Sequence, residues 1–200
     1  MNTTRLEGIV LQVVKYGEQD LIITVFSAER GLLRMFVKRG LSQRGKNRLP
    51  MEPLTQAEFV YATTGGELLQ CREVTVQDQF RFLRDSYSLL EAAFQMVDTI
   101  LKSQGPEVPA PAIYAVFCLY LKRLKEFSDP LVAVSSLRLK ILRYEGLFST
   151  ENLPSDFDEE QQQLTLVLAY SRSFATLCQM VGTSNVHAKI EKWMKNLLSQ

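Results

Sequence analysis

Over the first 76 residues, apolar side chains recur at every second position within short runs, the period of a strand with one buried face. The runs LEGIVLQVVKY, DLIITVF, LLRMFV, QAEFVYA and LLQCREVTV are rich in Val, Ile, Leu, Phe and Tyr. Gly17, the stretch SAERG from Ser27 to Gly31, a basic stretch, and TTGGE from Thr63 to Glu67 separate them. Past Val76 the period lengthens. Phe80, Leu83, Tyr87, Leu90, Phe94, Val97 and Leu101 alternate spacings of three and four, which predicts a helical seam.

Punctuation sets the element ends. Asp78 is a candidate N-cap for the first helix, and Gly105-Pro106 ends it. Pro109 and Pro111 open a second helix buried through Ile113, Val116, Phe117, Tyr120, Leu121 and Leu124. Asp129-Pro130 breaks it, and a third helix runs to Gly146. PSDFDEE (154–160) is a loop whose acids precede a fourth helix, where the dipole favours them. A last helix places Val186, Ile190, Trp193, Met194 and Leu197 on one face. Five strands with the longest connection between the third and fourth suit a five-stranded OB-fold β-barrel. The expected class is α+β: this barrel over residues 1–78, followed by an α-helical domain over 79–200.

Composition removes several functions. Apolar residues make up 46% of the 200, enough to bury a core, and nothing in the balance of charge and aromatics points to disorder. MNTTRLEG carries no secretory pattern, and the longest apolar run, IYAVFCLYL, falls short of the about 20 residues needed to span a bilayer. Cys71, Cys118 and Cys178 are too few and too scattered for a disulfide framework or a metal clip. A soluble cytoplasmic protein without metal or cofactor is expected. One histidine, His187, reads as a packing residue, and there is no phosphate-binding GxxxxGK[ST] loop. Asp156, Asp158, Glu159 and Glu160 read as a solvated, dipole-matched turn rather than a Mg²⁺ site. No catalytic residue is assigned, and an enzyme is not expected.

Charge changes the picture in one place. The net charge is only +1, yet Arg30 to Met51 holds seven Lys or Arg and no acid. In LLRMFVK, alternation sends Leu33, Met35 and Val37 inward and Arg34, Phe36 and Lys38 outward. Arg39, Arg44, Lys46 and Arg48 follow on a Gly- and Ser-containing stretch. Cations neutralise phosphates and an exposed ring stacks on bases, so these seven residues are the candidate nucleic-acid site. A basic loop that meets an acidic protein remains open, as does an RNA-binding module. Two further cation clusters, Lys122, Arg123 and Lys125, and Arg138, Lys140 and Arg143, are either solvated helix faces or partner sites.

The stretch EGIVLQVVKYGEQDLIITVFSAERGLLRMFVKRG, Glu7 to Gly40, resembles the opening of the bacterial DNA repair protein RecO family. The matching positions are Glu7, Ile9, Val10, Leu11, Lys15, Tyr16, Gly17, Glu18, Asp20, Gly31, Lys38 and Gly40. FRFLRDSYSLLEAA and LRLKILRYEGL resemble the family in layout. The resemblance implies a recombination mediator that binds single- and double-stranded DNA and anneals complementary strands. It also implies partners: RecR, the acidic C-terminal tail of single-stranded DNA-binding protein (SSB), and RecA indirectly. For that tail the two helical cation clusters are the candidate acceptors. Many members carry a CxxC…CxxC zinc module after the segment matching LRLKILRYEGL; residues 148–164 here hold no Cys or His, so no zinc is expected.

Overall fold

The computed structural model describes residues 3–40, 51–63, 68–182 and 184–199, with the backbone alone at Ser184. The chain divides into two compact units, Met1–Arg81 with Gln104–Ala115, and Phe82–Ser103 with Val116–Gln200.

The first unit holds β1 (Thr3–Tyr16), β2 (Asp20–Ser27), β3 (Gly31–Val37), β4 (Thr55–Ala62) and β5 (Leu69–Asp78). The order around the sheet is β1-β2-β3-β5-β4, and β4 pairs back onto β1, so every strand has two neighbours. All ladders are antiparallel except β3 with β5. Because ring closure leaves no open edge, the inward residues share one core. Leu6, Val10, Ile23, Val25, Leu33, Met35 and Phe59 are all buried there. The alternation expected for β3 holds: Leu33 and Met35 are buried and Arg34 is exposed.

Residues 104–110 belong to this unit through backbone pairing. The Glu107 amide donates to the Leu32 carbonyl at 2.9 Å and that of Ala110 to Ala28 at 3.1 Å. The Arg30 guanidinium donates to the Tyr61 hydroxyl at 2.9 Å and to the Glu107 carboxylate at 2.7 Å. Gly31 makes this approach possible. Its φ is +59°, and an added Cβ would lie 2.1 Å from the Val108 carbonyl oxygen.

The second unit is helical: α1 (Tyr87–Ser103), the later part of α2 (Pro111–Arg123), α3 (Pro130–Tyr144), α4 (Glu159–Tyr170), α5 (Phe174–Gln179) and α6 (Ser184–Leu198). α3 is central, packing against α1, α4 and α6, and every residue from Val132 to Leu139 is buried. This stretch has no solvent stripe, and its polar members are paired inside: Ser135 with His187, Ser136 with the Leu168 carbonyl and Arg138 with Glu191. Asp129 caps α3 by accepting from the Leu131 amide at 2.9 Å, and Asp158 caps α4 by accepting from Gln161 at 2.8 Å. Glu159 and Glu160 fill the first turn of α4, as the dipole argument requires.

The seam of the first helix differs from the sequence expectation. α1 buries Ala92, Ala93, Met96, Val97, Thr99 and Ile100, while Tyr87 and Phe94 face outward. Residues 81–85 form a 3-10 turn before α1 starts, so the spacing counted from Phe80 does not run on in phase: Phe80, Leu83 and Val97 of the expected seam are buried, and Leu90 and Leu101 are half-buried. Among the described residues no helix is long and apolar enough to cross a membrane.

Candidate nucleic-acid interface

Register across three strands builds the outer face. Gln12 of β1 pairs with Thr24 of β2, which pairs with Arg34 of β3. One row on, Val14 pairs with Ile22 and Ile22 with Phe36. Directly paired residues share a face, so Arg34 and Phe36 stand beside Val14 and Ile22 on the side away from the core. Tyr16, in the next row, meets Phe36 edge to face at a ring-centroid distance of 5.9 Å and 85° between planes. Val14 is 48% and Tyr16 57% exposed. Phe36 is half-buried, and part of that cover is the Tyr16 ring.

Lys38 and Arg39 follow β3 in an exposed turn. The Arg39 amide donates to Asp20 Oδ1 at 2.7 Å, which ties the turn to the start of β2. Arg39 adopts φ 55° there. A hollow of about 50 Å³ at this end of the barrel has Lys38, Arg39, Arg72 and Glu73 in its wall. That space suits only a water or two, so a larger ligand must lie on the face rather than in it. Arg44, Lys46 and Arg48 lie outside the described residues. The face therefore brings Arg34, Phe36, Lys38 and Arg39 together with three residues the sequence reasoning missed: Tyr16, Val14 and Ile22. Alternation in QVVKYG marks Val14 and Tyr16 as sharing a face; the register that carries them to Phe36 is not in that pattern.

The helical clusters divide by environment. Lys122, Arg123 and Lys125 are exposed. Arg123 lies 3.8 Å over the Phe174 ring and donates to Glu126 at 2.8 and 2.5 Å, which raises its pKa. Lys125 sits 5.6 Å from the Phe82 ring. The α3 cations are instead built into the helical unit. Arg138 is buried, 3.2 Å from Glu191, and burial lowers its pKa against the pull of that carboxylate. Lys140 donates to the Ser171 carbonyl at 2.8 Å and Arg143 to that of Ala169 at 2.7 Å. Both thereby satisfy carbonyls at the C-terminal end of α4, where its dipole is negative. Burial, reinforced by Arg143, brings the Lys140 pKa down to about 8.

His187 is buried and bonded on both nitrogens, to Ser135 Oγ at 2.7 Å through Nδ1 and to Asp129 Oδ2 at 3.2 Å through Nε2. This contains the residue types of a hydrolytic triad, but the Ser135 hydroxyl has no exposed surface from which to attack a substrate. Its role is to join α3 to α6. Among the described residues no group of three or more His, Cys, Asp or Glu is placed to hold a metal ion.

Residues 1–80 match the family described as recombination protein O, N terminal. The match places residues 1–80 with the N-terminal domain of the RecO family. The relatives that carry the name DNA repair protein RecO include three from different species. That of Chlamydia pneumoniae is 29% identical over 140 residues, 70% of this chain and 55% of the relative. That of Chlamydia muridarum (strain MoPn / Nigg) is 31% identical over 141 residues, 70% of this chain and 60% of the relative. That of Exiguobacterium sibiricum is 29% identical over 143 residues, 72% and 57%. The chain spans a little over half the length of the RecO relatives it matches.

Proposed function

We propose that this chain acts in DNA repair as a non-enzymatic recombination mediator. In this reading its barrel binds single- and double-stranded DNA, it anneals complementary strands, and it works with RecR, the SSB C-terminal tail and, through them, RecA. The observation that carries the DNA reading is the outer face of β1–β3. There Phe36 meets Tyr16, Arg34 stands one row from Phe36 on the same face, and Lys38 and Arg39 lead into an acid-free stretch with Arg44, Lys46 and Arg48. Cations meet phosphates without regard to sequence, and rings meet bases, so affinity follows strand chemistry rather than a site.

Annealing needs charge neutralisation and base access, not a nucleophile, in keeping with a buried Ser135 and His187. For the acidic tail, Lys122, Arg123 and Lys125 are the better acceptor, because all three are exposed, whereas Arg138 is buried against Glu191 and Lys140 and Arg143 hold the end of α4. The test is annealing of complementary oligonucleotides precoated with SSB, with and without RecR. Acceleration that RecR increases supports the reading; no binding to either strand form and no acceleration removes it. Competition with RNA of the same sequence separates DNA from RNA preference. Reversing the charge of Lys122, Arg123 and Lys125 is expected to weaken a labelled SSB tail peptide; unchanged affinity moves the tail site elsewhere.

A further inference from the structure

We infer that the Tyr16–Phe36 pair, on its floor of Val14 and Ile22, makes this face selective for unpaired bases over duplex. The inference rests on the DNA reading above and adds the strand state that the face prefers.

The face has two chemically different parts. Arg34, Lys38 and Arg39 are exposed cations that a phosphate satisfies whether its strand is paired or not. Val14, Ile22, Phe36 and Tyr16 form a continuous apolar patch across three strands; Arg34 lies one row along the same face, and Asp20, which pairs with Tyr16, accepts from the Arg39 amide at the other end. A duplex turns phosphates outward and keeps the faces of its bases covered by their neighbours. It can therefore satisfy the cations but offers nothing to cover the patch. An unpaired base offers both.

The geometry of the two rings sharpens this. At 85° between planes, they cannot continue one parallel stack. Bases seated on Tyr16 and on Phe36 must turn sharply relative to each other, which a single strand allows and a duplex does not. The exposure of Tyr16 leaves its ring available without moving β1. The occupant is therefore single-stranded nucleic acid with its bases splayed. The patch is worth about 5- to 150-fold per stacked ring, while the cations meet phosphates on both strand forms.

The experiment compares three ligands of equal length on the unaltered chain: a single strand, its duplex, and an abasic strand with the same phosphates. The single strand is expected to bind at least about tenfold more tightly than the abasic strand. Tyr16→Ser is then expected to lower single-strand affinity, leaving duplex and abasic affinity and the salt dependence unchanged. Tyr16 is exposed, so this variant folds; Phe36→Leu keeps apolar cover over β2 and serves as the second variant. Equal binding of natural and abasic strands, or an equal loss on single strand and duplex in both variants, overturns the inference while the DNA reading stands. Absence of binding to all three ligands removes the DNA reading and the inference with it.

Discussion

Asp129 ties the start of α3 to Gly182 and α6 through three hydrogen bonds to its carboxylate. One oxygen caps α3 through the Leu131 amide at 2.9 Å; the other accepts from the Gly182 amide and His187 Nε2, both at 3.2 Å. Asp129→Ala removes a cap, which costs about 1 kcal/mol. It also leaves two donors without their acceptor, at about 1–3 kcal/mol each when fully buried. The carboxylate is 17% exposed and Gly182 is half-buried, so water recovers part of that. A net loss of about 2–4 kcal/mol follows. For a chain of this length that is a fall of about 5–15 °C in Tm. Asp129→Asn keeps the cap oxygen and should lose about half as much. Thermal melts of the three proteins decide it. An Asp129→Ala variant that melts within about 2 °C of the parent, or an Asn variant as damaged as Ala, refutes the assignment.

The same node sets a pH response, read through the chain's single histidine. Burial holds the His187 pKa below its ordinary value, opposed by Asp129 and aided by Arg138. A base with a lowered folded pKa stabilises the fold above its unfolded value of about 6.5 and loses that contribution as pH falls through the folded value. Tm should therefore drop as pH is lowered from 7 through this range. One imidazole NMR titration, free of overlap, should show a midpoint below the ordinary histidine value. A midpoint at or above it would sink the argument.

Three further outcomes follow from the geometry. Gly31→Ala should destabilise the barrel well beyond Gly17→Ala, because both have positive φ but only Gly31 faces a carbonyl where Cβ would sit. Gly17→Ala should cost about 1–2 kcal/mol, and parallel denaturant midpoints for the two would contradict the close approach of Val108. Replacing Arg34, Lys38 and Arg39 together by Ala should lower the salt-dependence slope for single strands by about 2, at about 0.7 per phosphate contact. A folded triple variant with the parent's slope removes these three from the contact set. Purified protein should carry no stoichiometric zinc and should melt alike with and without chelator; bound zinc or a chelator-sensitive melt would contradict the empty 148–164 stretch.

What the sequence makes legible depends on how far apart the interacting residues are. In β3 the alternation alone places Leu33 and Met35 inside and Arg34 outside, because each side chain's direction follows from its neighbour's. The starts of α3 and α4 are legible for the same reason, since Asp129 and Asp158 cap within three residues of themselves. The seam of α1 misleads because large rings look like core, whereas α1 packs against α3 through Ala92, Ala93, Met96 and Val97 and leaves Tyr87 and Phe94 outside. In α3 the pattern carries no face at all, so Arg138 reads as surface although it is buried against Glu191, 53 positions on. The membership of 104–110 in the barrel unit rests on backbone bonds to Leu32 and Ala28, which leave no trace in side-chain periodicity. The candidate site shows the same limit. Its cations are visible as an acid-free window, but Tyr16 meets Phe36 only through the combined register of β1, β2 and β3. A single strand's pattern says which side a residue faces; only the pairing of several strands says what stands beside it.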